Sequence, residues 1–141
     1  MSDRPGFVPV AGALAAAVLA ACAAADKPDD AAALRDIASG QSGREVIVEG
    51  TTTAVFPTVT GASGAHEEFE LRIGTGSAVQ SILVADNVTI GEVAPVKNGD
   101  DVIVKGVLEL DPGGPVIHWT HHDPEFRHAP GFVEVGGKIY D

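Results

Sequence analysis

Four of the five histidines in the chain fall within eleven residues, His118-Trp119-Thr120-His121-His122-Asp123-Pro124-Glu125-Phe126-Arg127-His128, together with the only tryptophan. Imidazoles bind zinc or copper(II) and donate or accept hydrogen bonds near neutral pH. The spacing sets limits. In an extended Val116–Thr120, His118 and Thr120 share one face, and Trp119 and His121 the other. His118 and His122 would then stand about 13 Å apart at about 3.3 Å per residue, too far for one metal. Asp123-Pro124 must turn the chain, because proline disfavours a helical residue before it. Such a turn brings His121 or His122 towards His128. His121, His122 and His128 are therefore the leading candidates for a metal or ligand site, with His118 and Asp123 orienting them. Arg127 offers a planar fork to an anionic ligand and Trp119 an anchoring ring. Equally, the imidazoles can stitch the turn to the domain by hydrogen bonds, with Asp123 capping backbone N–H groups. No His-Glu-x-x-His, phosphate-binding loop, nucleotide fingerprint or Gly-x-Ser-x-Gly elbow occurs.

The elements that must position this segment are mostly strands. Glycine (17) and proline (9) are frequent and aromatics few, as in loop-rich β folds. Val46–Gly50 and Thr51–Phe56 are β-branched. His66–Ile73 alternates, with Phe69, Leu71 and Ile73 on one face and Glu68, Glu70 and Arg72 on the other. His66-Glu67-Glu68-Phe69-Glu70 reads as a solvated strand face, with His66 kept as a further contributor to the site. Ser81–Ala85 and Asp101–Leu110 are further strands. Asp111-Pro112-Gly113-Gly114 turns the chain into Pro115–Thr120, and Pro57–Gly64 reads as a polar turn region. Gly136-Gly137 joins a last hairpin, Phe132–Val135 with Lys138–Tyr140. Val46-Ile47-Val48-Glu49-Gly50 and Val102-Ile103-Val104-Lys105-Gly106 are near copies, each with a glycine where a strand must coil. The expected fold is mainly all-β, a small five-stranded OB-like Greek-key barrel with a C-terminal hairpin over residues 44–141.

The N-terminal part reads as an address. Phe7–Leu19 is an apolar run of 13 residues, too short for a membrane span and right for a secretory signal. Leu19-Ala20-Ala21-Cys22 resembles the bacterial lipobox, and the sole cysteine stands at the acylated position. This predicts a signal peptide over 1–21, a lipid anchor at Cys22 and a membrane partner through that anchor. By resemblance to enterobacterial sorting, Ala23 directs the protein to the outer membrane, facing the periplasm. Residues 22–43 form a tether, with a short helix over Ala31–Ser39. With 9 basic and 20 acidic residues and a net charge of −11, nucleic-acid binding is disfavoured.

The run Gly113-Gly114-Pro115-Val116-Ile117-His118-Trp119-Thr120-His121-His122-Asp123-Pro124, followed by Arg127-His128 and Gly136-Gly137-Lys138-Ile139-Tyr140, resembles an uncharacterised bacterial family of small secreted proteins and lipoproteins. The resemblance covers about Val46 to Tyr140 and includes Val48-Glu49-Gly50, His66 and Phe69. Glu125-Phe126 stands where members usually carry a basic residue and glycine, and Asp86-Asn87 where many carry His-Asn. It implies a compact secreted β domain and no reaction. The function expected is a cell-envelope module that binds a ligand or metal with its histidine-rich loop. The alternatives are a hydrolase using a metal on the same histidines to activate water, and a structural or protein-interaction module.

Overall fold

A computed structural model describes residues 27–141; the signal segment and Cys22 lie outside the described residues. Among the described residues one helix, α1 (Asp30–Ala38), precedes seven strands. These are β1 (Arg44–Gly61), β2 (Gly64–Thr75), β3 (Ala78–Asn87), β4 (Asp101–Asp111), β5 (Gly114–His118), β6 (Phe132–Val135) and β7 (Lys138–Tyr140). Asp29 caps α1, its side chain accepting from Ala32 N at 2.9 Å, which satisfies one of the helix's free donors. The helix is docked: Ala33 is fully buried, and Leu34 and Ile37 pack on the core.

β1, β2, β3, β5 and β4 form a ring that closes where β4 pairs antiparallel with the first half of β1. The step from β3 to β5 is the one parallel pairing between neighbouring strands. β6 adds to β4 and β7 to β6, completing one seven-stranded sheet. The mainly all-β reading, with five ring strands and a terminal hairpin, agrees with this. Alternate residues face inward, as the pleat requires: Val46 and Val48, Phe69, Leu71 and Ile73, Ile82 and Val84, and Val102, Val104 and Leu108 make the core with Ile117 and Val133.

Of the boundaries that depart from the expectation, two are informative. β1 does not stop at Phe56 but continues through Pro57 to Gly61, with register shifts at Thr52/Ala54 and Phe56/Val59. Pro57 is tolerated because it sits in the second irregularity, where no ladder N–H is demanded. β5 ends at His118 rather than Thr120, because Trp119 takes a left-handed backbone with φ +56°. The twin glycines mark close approaches. A Cβ on Gly50 would collide with the carbonyl of Arg72, and one on Gly106 would lie 2.5 Å from His118 O. Among the described residues no helix is long and apolar enough to cross a membrane.

Candidate functional site

The left-handed turn at Trp119 redirects the chain out of the ring and starts the loop that ends at Gly131, whose N–H donates to His121 O at 3.0 Å. Asp123 organises the far half of this loop. Its carboxylate accepts from the backbone N–H groups of Glu125 (2.8 Å), His128 (2.7 Å) and Arg127. Desolvation pushes its pKa up, but these three donors and the neighbouring His128 ring outweigh it and hold the carboxyl below its ordinary range. The capping role expected of Asp123 is thus what its contacts show.

The loop folds against the end of β2 and β3 and encloses a cavity of about 510 Å³. His118, Trp119, His121, Asp123, Arg127 and His128 line one side. His66 of β2, Ala85 and Asn87 of β3, Ser63 and Ile90 line the other. Asn87 ties two neighbouring segments together, its Nδ2 donating to Ser63 O at 2.9 Å and its Oδ1 accepting from Thr89 N at 3.0 Å. Of the residues picked from the sequence, the structure therefore brings together His66, His118, Trp119, His121, Asp123, Arg127 and His128. His122 is the exception. Its side chain is exposed and outside the cavity, and only its carbonyl serves the site. The chain leaves the strand at Trp119, and the turn expected at Asp123-Pro124 brings only His121 of the two to His128.

Three imidazoles are oriented in the same way. The Nδ1 atoms of His121, His128 and His66 lie 2.6, 2.8 and 3.2 Å from the carbonyl oxygens of His122, Ala129 and Gly64. A carbonyl only accepts, so Nδ1 carries the proton in each. In the neutral ring this leaves Nε2 with a lone pair, which in His66 and His121 is left for a ligand; Nε2 of His128 stands 3.9 Å from Asp123 Oδ2. Burial lowers the His121 pKa, and the neighbouring His128 and His122 rings reinforce this against the bond to His122 O, which favours the charged form. Its ring meets His128 edge-on at 5.1 Å, while His128 stacks on Trp119 at 5.3 Å. Trp119 remains 45% exposed at the rim. His118 Nε2 is 3.8 Å from Asp111 Oδ2. Arg127, expected as a fork for an anion, pairs instead with Glu125 at 3.1 Å and is largely exposed. Among the described residues no three His, Cys, Asp or Glu side chains are grouped so as to hold a metal ion.

Sequence reasoning missed the carboxyl pair behind the cavity. Glu67 does not belong to a solvated face. It stands directly opposite Asp86 in the β2–β3 register, and Asp86 is 1% exposed. Period-2 counting back from Phe69, and forward from Ile82 and Val84, places both on the inner face.

Phe126 is 93% exposed with φ +55°. A left-handed conformation costs a non-glycine residue about 1–2 kcal/mol, of which the flexibility of glycine when unfolded returns up to about 1. Phe126→Gly is expected to stabilise the protein by about 0.5–1 kcal/mol in urea denaturation. A loss of stability would mean that the ring makes contacts the structure does not show.

Residues 14–141 match the family model described as Protein of unknown function (DUF3465), which is most of the chain, and the chain belongs to that family. No curated protein matches it.

Proposed function

We propose that this DUF3465 member is a cell-envelope binding module whose cavity takes a small uncharged organic ligand rich in hydroxyl groups, with a neutral sugar as the type. The observation that carries this is the common orientation of His66 and His121, whose Nε2 atoms are acceptors that need donors, while Nε2 of the neighbouring His128 stands 3.9 Å from Asp123 Oδ2. The charges around them are already committed. Asp123 is spent on backbone N–H groups and Arg127 on Glu125. That supports binding over hydrolysis, since the cavity's one carboxylate is not available as a base. The half-exposed Trp119 supplies an aromatic face for a sugar ring. The run Gly113–Pro124, read as the family's signature, supplies most of one wall.

Calorimetric titration with neutral disaccharides, a sugar phosphate and zinc(II) tests the reading. Neutral sugars are expected to bind. His121→Ala or His66→Ala, with far-UV circular dichroism unchanged, should weaken binding about tenfold, the worth of one well-placed hydrogen bond. Preference for the phosphate would favour an anion site, and tight zinc binding a metal site. No heat from any of them would sink the binding reading.

The envelope address rests on Leu19-Ala20-Ala21-Cys22, outside the described residues. Cys22→Ser is expected to move the protein from the membrane to the soluble fraction on cell fractionation. Retention in the membrane would contradict a lipid anchor at this residue.

A further inference from the structure

Two loops wall the cavity, and each is held to the strand ring by one member of the same carboxyl pair. Asp86 Oδ1 accepts from Thr120 Oγ1 at 2.7 Å, and Thr120, fully buried, lies between Trp119 and His121. Glu67 Oε1 accepts from Ala94 N at 2.9 Å, in the segment 88–100 that also carries Ile90. The two residues stand directly opposite each other on the inner face of the β2–β3 ladder. Two carboxylates so placed offer each other only acceptors and repel. A proton on Glu67 removes the conflict: Glu67 can then donate to Asp86 while it accepts from Ala94, and Asp86 accepts from both Glu67 and Thr120.

We infer that Glu67 and Asp86 form a proton-sharing latch that holds both cavity walls against the ring, and that loss of the shared proton releases them. The inference rests on the binding reading only for its consequence, which is that ligand affinity falls when the latch opens.

The groups acting on the pair agree with this. Burial pushes Glu67 up to about 7, against the Ala94 N–H and with help from the Asp86 charge. Burial also pushes Asp86 up to about 6, against Thr120, the His66 ring and the Glu67 bond. His66 on β2 is a further titratable group acting on the pair. The packed loops contribute Ala94 N–H and the Thr120 hydroxyl, which do not titrate in this range. The same loop carries His121, whose ring burial keeps neutral. Like charges directly opposite each other in a ladder repel, so ionisation of the second carboxyl drives Glu67 away from Asp86 and off Ala94. This loss falls near neutrality, within the range an envelope protein meets.

Native-state hydrogen exchange at the Ala94 amide, expressed as a protection factor, tests the latch with no ligand present. In the wild-type protein the protection factor is expected to fall at least tenfold between pH 5.5 and pH 8. In Glu67→Gln it should stay at the acid value, because the amide side chain donates to Asp86 and accepts from Ala94 at any pH. A flat wild-type profile would overturn the latch, as would a Glu67→Gln profile that follows the wild type. Should the variant fold poorly, the wild-type side-chain carboxyl 13C shifts decide: coupled titration of Glu67 and Asp86 near neutrality supports the latch, and ordinary titration overturns it. Neutral-disaccharide affinity at the same two pH values separates the two readings. A decrease at pH 8 that Glu67→Gln abolishes supports both. Ala94 behaving as expected with no sugar bound at either pH leaves the latch standing and removes the binding reading.

Discussion

Gly106→Ala is expected to destabilise the protein by about 2–3 kcal/mol and to disturb the cavity in the same step. A Cβ at this position would lie 2.5 Å from the backbone oxygen of His118, 2.7 Å from Ile117 Cγ2 and 2.9 Å from Thr120 Cγ2. Overpacking of a close-packed interior costs about 1–3 kcal/mol, and the upper end applies where the neighbour is backbone and cannot rotate away. The displaced atoms are those that carry β5 into the Trp119 turn. His121 and Thr120 therefore move with them, and the Asp86–Thr120 bond is lost. Urea denaturation measures the cost, and the fluorescence of Trp119, the only tryptophan, reports the rim. A change below about 0.5 kcal/mol would show that the β4–β5 approach is looser than the structure has it.

Glu67→Gln should act in the opposite sense, and its effect should grow with pH. The folded-state pKa of Glu67 is raised from 4.5 to about 7. Its contribution is therefore fully present below pH 4.5 and lost as pH rises through 7. The same holds for Asp86, raised from 3.8 to about 6. His121 has the reverse sign: its pKa is lowered, so its contribution is lost as pH falls below about 6.5. The wild-type profile mixes these, and the difference between variant and wild type isolates the pair. Glu67→Gln should be close to neutral at pH 5 and more stable than the wild type at pH 8. A tenfold change in proton affinity between the folded and unfolded chain is worth about 1.4 kcal/mol, and Glu67 is only about half buried. Screening then leaves about 1–2 kcal/mol. Thermal melts of both proteins at the two pH values check this. Equal differences at pH 5 and pH 8 would mean that Glu67 is ionised in the fold throughout.

Much of the ring could be read from residue order. The alternation of Phe69, Leu71 and Ile73 defines the inner face of β2, and Asp111–Gly114 and Gly136-Gly137 mark two turns, because each pattern has a local cause. The helix differs from its expected bounds by one residue at each end. The readings that failed depend on backbone states with no local signature. Tryptophan rarely adopts positive φ, so nothing in the run His118–Thr120 announces that β5 ends there. That single residue sends His121 into the cavity and leaves His122 outside. The bulge that lets β1 pass through Pro57 is similarly invisible. Glu67 is a different case. The alternation that places Phe69 inside also places Glu67 inside, but the surrounding acidic run hid it. Ending the third strand at Ala85 likewise kept Asp86 from being read as an inner position. The gathering of His66 with His121 and His128 depends on the ring closing, a tertiary fact.

The central claim is that His66, His121 and His128 carry their protons on Nδ1 and that the Nε2 atoms of His66 and His121 accept from a ligand. The most direct measurement is the long-range 1H–15N spectrum of the imidazole rings at pH 7.5, alone and with a neutral disaccharide. The structure predicts the Nδ1–H tautomer for all three rings, and Nε2 resonances of His66 and His121 that move on addition of sugar while those of His122 stay still. Nε2–H tautomers, or sugar-induced changes at His122 with none at His66 and His121, would contradict it.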